Sequence, residues 1–180
     1  MHPLDRPVSF ADALERGLQP DGVLLVVSAA SQELSVLTGD GLWRRFPVST
    51  ARKGIGNRNG SYATPPGWHR VAERVGAGAP AGQVFRSRRP TCRVLTPDAW
   101  RSETEEDCIT SRILRLAGLE PGVNQGPGID SFDRFIYIHG TNREQGLGSP
   151  VSHGCIRMAN PDVIALFAFV ESRETWCWIG

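Results

Sequence analysis

The sequence predicts a mainly β domain of the α+β class, and three observations carry that prediction. Twenty glycines and thirteen prolines in 180 residues supply many turns. Short apolar runs recur between those turns at the spacing of hairpin strands. Helical spacing of apolar residues is confined to three stretches, near residues 10–18, 108–117 and 160–170. The length fits one domain with a sizeable core, or one domain plus a small appendage. With 40% hydrophobic and 22% charged residues the composition is that of a soluble globular protein, expected as a monomer. A net charge of +1 gives no whole-molecule field that would draw nucleic acid or an anionic membrane.

Taken in order, Phe10 to Leu18 reads as a short helix with Ser9 as N-cap. Pro20-Asp21-Gly22 turns the chain into a buried strand, Val23 to Val27. Leu34 to Leu37 is its hairpin return, and Leu42 to Ser49 follows the Gly39-Asp40-Gly41 turn as a third strand. Lys53 to Tyr62, rich in Gly, Asn and basic residues, is an exposed loop. The rigid Thr64-Pro65-Pro66-Gly67 turn enters a strand from Trp68 to Val75. After the Gly76–Gly82 loop, Val84 to Arg89 and Arg93 to Leu95 are weak strands, and Arg86, Arg88 and Arg89 form a solvated basic face.

Cys108 to Ala117 has apolar residues at helical spacing and stops at Gly118, a favourable C-cap, so a helix is expected there. Leu119 to Ser131 is loop. Arg134 to Ile138 is a central strand that delivers His139 from its end, and Arg143 to Val151 is loop. Asn160 is the expected N-cap of a helix with Pro161 at its first position and an apolar set of Val163, Ile164, Leu166, Phe167 and Val170. Glu174 to Ile179 closes the chain as a strand. The N-terminal residues lack the basic start and long apolar centre of a secretory signal, so a cytoplasmic location is expected, or a periplasmic one if an export signal has been removed.

The chemistry concentrates in Ser152-His153-Gly154-Cys155-Ile156-Arg157, with His139 sixteen positions before Cys155. A free thiol is only a few per cent thiolate at pH 7, so a nucleophilic cysteine needs a base. Cys155 beside His139 reads as a cysteine acyl-transfer site. His153 is an alternative base, and two imidazoles near one thiol cannot be ranked from sequence. Arg157 has two readings, a binder of a substrate carboxylate or a structural ion pair. Ser152 is expected to hydrogen-bond within the turn, and the Gly154 and Cys155 backbone amides are candidates for an oxyanion hole. A zinc site on His139, His153 and Cys155 is the minority alternative, since the usual paired ligand spacing is missing. Cys92, Cys108, Cys155 and Cys177 are too few for a disulfide scaffold; a Cys92–Cys108 bridge is an option only in an oxidising compartment.

Ile138-His139-Gly140-Thr141 followed by Gly148-Ser149-Pro150-Val151-Ser152-His153-Gly154-Cys155-Ile156-Arg157-Met158 resembles the L,D-transpeptidase catalytic domain, also called the YkuD domain. The Thr64-Pro65-Pro66-Gly67 turn fits the same domain. The expected helix Ser111 to Ala117, with the segment Gly118 to Asn124 after it, looks like one branch of the family. The resemblance covers roughly residues 22–180, leaving residues 1–21 as an N-terminal helical appendage. It implies a YkuD-like β-sandwich with a few flanking helices, no cofactor, and peptidoglycan fragments or stem peptides as substrate. Cys155 would attack the carbonyl between an L-centre, usually of diaminopimelate, and D-alanine. The family's third member is a serine or a backbone carbonyl that orients the histidine, and here Gly140 offers only its carbonyl. Hydrolysis would make the chain an L,D-carboxypeptidase trimming muropeptides, and an amine acceptor would make it a transpeptidase. Acylation of the same thiol by carbapenem-type β-lactams is implied as well. The contrasting reading is a wall-fragment binding protein with an inert site.

Overall fold

A computed structural model describes residues 8–101 and 106–180. The first seven residues of the expected appendage lie outside the described residues. Among the described residues the chain forms ten strands and two α-helices: α1 (Phe10–Glu15), β1 (Val23–Ser28), β2 (Glu33–Thr38), β3 (Gly41–Ser49), β4 (Gly67–Val75), β5 (Gln83–Arg86), β6 (Arg89–Val94), β7 (Ile109–Gly118), β8 (Tyr137–Thr141), β9 (Ile156–Met158), α2 (Asn160–Val170) and β10 (Thr175–Ile179). The expected mainly β architecture is the observed one. The strands run in the order β4-β10-β1-β2-β3-β9-β8-β7-β5-β6, and β4 pairs with β7 as well. That extra pairing closes eight strands into a circuit, with the β5–β6 hairpin hanging from β7. No described helix is long and apolar enough to cross a membrane.

The core lies inside this circuit. Val23, Leu25 and Val27 of β1, Leu34 and Val36 of β2, Phe46 and Val48 of β3, and Ile156 and Met158 of β9 point inward. They meet Val163, Leu166, Phe167 and Val170 of α2, each side chain contributing roughly 1.5–3 kcal/mol by leaving water. The apolar run of β1 is unbroken because its other face is covered too. Leu24 packs with Ala13, Leu18, Trp68 and Trp178 beneath α1. The start of α1 is fixed as its sequence suggests: Ser9 and Asp12 form a reciprocal capping box.

Four expectations are corrected. The segment Cys108–Ala117 is not a helix; Ile109–Gly118 is β7, buried on both faces. Its ladder with β8 jumps from Thr110↔Gly140 to Ile113↔His139, so Ser111 and Arg112 bulge out, with Ser111 at φ 62°. Burial on both faces and the two extra residues erase the alternation of a strand and leave apolar positions that mimic a helical period. In the hairpin, Ser87 and Arg88 both have positive φ and make a tight turn where one strand through Arg89 was expected. Phe135 at φ 56° delays β8, so His139 sits in the middle of that strand rather than beyond its end. At α2 the N-cap is Ala159, and Asn160 is already helical.

Candidate active site

Cys155 immediately precedes β9, which pairs in parallel with β8. The register sets His139 beside Arg157 and Ile138 beside Ile156. Side chains alternate along a strand, so Ile138 and Ile156 enter the core while His139 and Arg157 share the opposite face. Cys155, two residues before Arg157, projects to that same face and packs beside Phe85, Ile113 and Tyr137. The face borders a cavity of about 170 Å³ lined by Asp107, Cys108, Ile109, His139, Ser152, His153, Cys155 and Arg157. Cys155 and both candidate histidines, His139 from β8 and His153 from the turn itself, thus meet in one recess.

The turn before Cys155 is built from its own residues. Ser152 Oγ donates to the Cys155 carbonyl at 2.6 Å and accepts the Gly154 amide at 3.2 Å. The expected role of Ser152 within the turn is therefore seen. The Gly154 amide, expected to face a developing oxyanion, is engaged by that hydroxyl instead. Gly154 has φ +133°, a conformation that side-chain-bearing residues rarely adopt. Thr64 Oγ1 donates to the Gly154 carbonyl at 2.9 Å and accepts the Ala51 amide at 2.9 Å, tying the turn to the preceding loop.

His139 is buried, and its Nδ1 lies 2.8 Å from the Gly140 carbonyl. That bond requires the proton on Nδ1, leaving the Nε2 lone pair available. Nε2 has no hydrogen-bond partner among the described residues. Gly140 must be glycine because a Cβ there would come within 2.6 Å of the Thr110 carbonyl oxygen and 2.9 Å of Asn160 Oδ1. Asn160 braces this strand from behind. Its Oδ1 accepts Thr110 Oγ1 and Ser111 Oγ, and its Nδ2 donates to the Thr141 carbonyl and to Glu144. The β7 bulge is what brings Ser111 to that amide.

Burial pushes the Cys155 thiol up to about 11, opposed by the Tyr137 backbone amide and by the Arg157 and Arg134 cations. Burial also pushes His139 down to about 4, with the Gly140 bond opposing and Arg157 reinforcing the shift. Both directions favour the neutral forms, thiol and imidazole, over an ion pair. Cys155 Sγ lies 3.4 Å from the Phe135 carbonyl.

Arg157 is almost wholly buried and forms an ion pair with Asp107. Of its two sequence readings, the structure displays the ion pair. His153 is 73% exposed, with Nδ1 3.7 Å from Asp107 and 3.5 Å from Arg157, and the Tyr62 ring stands edge-on to it. Asp107 was missed because it ends the acidic run Glu105-Glu106-Asp107, which reads as a solvated loop. Within the basic trio, Arg88 is no free cation: it bonds the Tyr137 hydroxyl, pairs with Glu73 and lies over Phe135. No disulfide joins the four cysteines in this structure. Among the described residues no three His, Cys, Asp or Glu side chains converge as metal ligands.

Comparison with known proteins shows the family and the fold. The family described as YkuD, the L,D-transpeptidase catalytic domain, matches residues 22–179. YqjB of Bacillus subtilis strain 168, whose name assigns it to the L,D-transpeptidases, is 59% identical over 34 residues, 19% of each chain. YbiS of Escherichia coli K12, named likewise, is 53% identical over 34 residues, 19% of this chain and 11% of its own. An L,D-transpeptidase from Mycobacterium smegmatis superposes with a TM-score of 0.51 at 15% identity, covering 88% of this chain and 58% of that one. The LD transpeptidase LdtMt1, solved in complex with imipenem, gives 0.52 at 16% identity over 89% and 59%. The chain thus spans under two thirds of these solved structures, and at such identity the likeness shows a shared fold.

Proposed function

The chain belongs to the YkuD family of L,D-transpeptidase catalytic domains, and on that premise we propose that it is a cysteine acyl-transfer enzyme acting on peptidoglycan stem peptides. The observation that carries this reading is the single recess holding Cys155 and an imidazole whose Nδ1 is fixed and whose Nε2 is open. The bond attacked is the one joining the L-centre of a diamino acid to the following D-alanine.

Cys155 Sγ attacks the carbonyl carbon while its proton passes to His139 Nε2. The two events are coupled, because neither a lone thiolate nor a lone imidazolium is favoured in this buried site. The tetrahedral intermediate collapses by breaking the C–N bond. The imidazolium returns the proton to the departing nitrogen, and D-alanine leaves a thioester on Cys155. Water then adds, giving its proton to His139, and the thiol leaves with a proton as the tripeptide carboxylate forms. Arg157, held by Asp107, keeps a cation next to both reacting groups while charge develops.

Water as acceptor, an L,D-carboxypeptidase trimming muropeptide tetrapeptides, is the reading favoured by a small recess open to solvent beside exposed His153. Transpeptidation is favoured by a second cavity of about 430 Å³ that shares Asp107, Cys108 and Ile109 with the first and has room for an amine-bearing stem. Mass spectrometry of a disaccharide-tetrapeptide incubated with and without excess D-amino acid separates them, with Cys155→Ala as control. A tripeptide that persists in the presence of the amine supports hydrolysis. An exchanged tetrapeptide or a dimer supports transfer. No product in either arm overturns both. A carbapenem, the class of the imipenem found in complex with LdtMt1, is expected to add its mass to Cys155 and not to the Ala variant.

A further inference from the structure

Arg134 lies on the turn before β8, one residue ahead of the Phe135 carbonyl that meets Cys155 Sγ. Its guanidinium reaches across to the loop of residues 56–63. Nη1 donates to the Gly56 and Asn57 carbonyls at 3.2 and 2.8 Å, and Nη2 donates to Ser61 Oγ and the Ala63 carbonyl at 3.4 and 2.7 Å. The Ala63 carbonyl oxygen in turn lies 3.5 Å from where a side chain on Gly154 would begin, directly beside the nucleophile. All four acceptors are neutral, and among the described residues no carboxylate lies within ion-pair distance of Arg134. The half-buried cation therefore keeps its full charge next to the nucleophile turn, and a planar fork with fixed donors sets where that charge sits.

Three other arginines around the site have carboxylate partners. Arg157 is held by Asp107, and Arg88 and Arg115 share Glu73. Arg115 also bonds the Phe132 carbonyl, which fixes the turn from its other side. A cation held only by carbonyls and a hydroxyl stabilises nearby negative charge more than a neutralised one does, and negative charge builds on the Cys155 sulfur as its proton leaves. We infer that Arg134 is a positioning residue for the nucleophile: it pins the 56–63 loop against Gly154 and presents an unbalanced cation that stabilises the Cys155 thiolate. The inference deepens the proposed cysteine chemistry, but the property it concerns, the acidity of the thiol, is measured without substrate.

The test is the rate of iodoacetamide alkylation of Cys155 at a fixed pH of about 8, where a lysine keeps its charge, mapped by peptide mass with exposed Cys92 as internal control. Arg134→Gln removes the charge, and Arg134→Lys keeps it. The Gln variant is expected to alkylate Cys155 roughly tenfold more slowly, through loss of thiolate at that pH. The Lys variant is expected to stay near wild type, and Cys92 to be unmoved in both. An unchanged Cys155 rate in the Gln variant overturns the inference. Equal losses in both variants overturn it as well, since the loop and not the charge would then be responsible. Should Arg134→Gln fail to fold, Ser61→Asp sets a carboxylate against the guanidinium and neutralises it in place. A slower reaction there supports the inference, and an unchanged one overturns it. A wild type that alkylates as described but turns over no stem peptide would remove the proposed function and leave this inference standing.

Discussion

Two buried histidines stand on β4 and β8, the strands that both pair with β7, and differ in one hydrogen bond. His69, on β4, has Nδ1 2.9 Å from the Gly67 carbonyl and Nε2 2.9 Å from Ser131 Oγ. His139, on β8, has the same kind of Nδ1 contact to the Gly140 carbonyl, but its Nε2 faces the Cys155 recess without a partner among the described residues. Burial pushes both down to about 4. A perturbed pKa therefore does not distinguish them. The distinguishing feature is an unfilled acceptor on a ring that the strand holds still: His69 is complete as a structural element, and His139 is completed only by a proton donor such as a thiol.

Removing each ring breaks this comparison most sharply. His139→Gln is expected to lower kcat/KM by about 10³-fold or more, in line with loss of a positioned base, while melting stays close to wild type. His69→Gln is expected to do the reverse: activity within a few-fold, and stability lower by about 1–3 kcal/mol because two buried hydrogen bonds are disturbed. Steady-state assays paired with urea melts read both. Equal losses of activity in the two variants would remove the distinction.

Acid sharpens what the two rings share. Each native histidine binds a proton only near pH 4, whereas the unfolded chain binds it near the ordinary 6.5. The native state thus holds fewer protons between those values, and stability falls as pH drops from about 6.5 towards 4. A shift of that size corresponds to about 3 kcal/mol per ring at most. Urea melts at pH 7 and pH 4.5 should show the loss, and removing either histidine should shrink it by about half. An undiminished loss in both variants would assign the acid sensitivity to other groups.

A smaller effect is expected from the charge cluster at the recess. Asp107→Asn leaves the buried Arg157 cation without its anion, which is expected to cost about 2–3 kcal/mol, less than a fully buried pair because Asp107 is partly exposed. Thermal melts of Asp107→Asn and of the double variant with Arg157→Met check this. The double variant should recover part of the loss, and a further drop would show that the two residues act independently.

How much of this was legible beforehand follows physical lines. The β1–β3 meander, the β10 closing strand and the Cys155 turn could be read, because turn residues and apolar runs mark them locally. The recess was legible as a set of residue types, not as geometry. The Ser111–Arg112 bulge broke the alternation of β7 and made a doubly buried strand resemble a helix. Asn160 resembled an N-cap because its side chain suits that role, but partners distant in sequence, Thr110 and Ser111, claim it. Asp107 and Arg134 were invisible for the same reason: what each does is set by a contact with a remote loop or turn, and no local pattern encodes it.

The choice between His139 and His153 was open in the sequence, and the structure supplies a physical ground for ranking them. A general base gains from a ring held in one orientation, and His139 is buried with its Nδ1 fixed on the Gly140 carbonyl. The His153 ring is 73% exposed, and its polar neighbours, Asp107 at 3.7 Å and Arg157 at 3.5 Å, stand at loose distances. It sits at the rim, edge-on to Tyr62, where it can touch a bound peptide but is poorly held for taking a proton from Cys155. His153→Gln is accordingly expected to change kcat/KM by less than about tenfold, through KM more than kcat, as for a residue that binds ground and transition states alike. If His153→Gln instead matched the loss in His139→Gln with kcat carrying it, the exposed ring would be the base, and the open Nε2 of His139 would need another explanation.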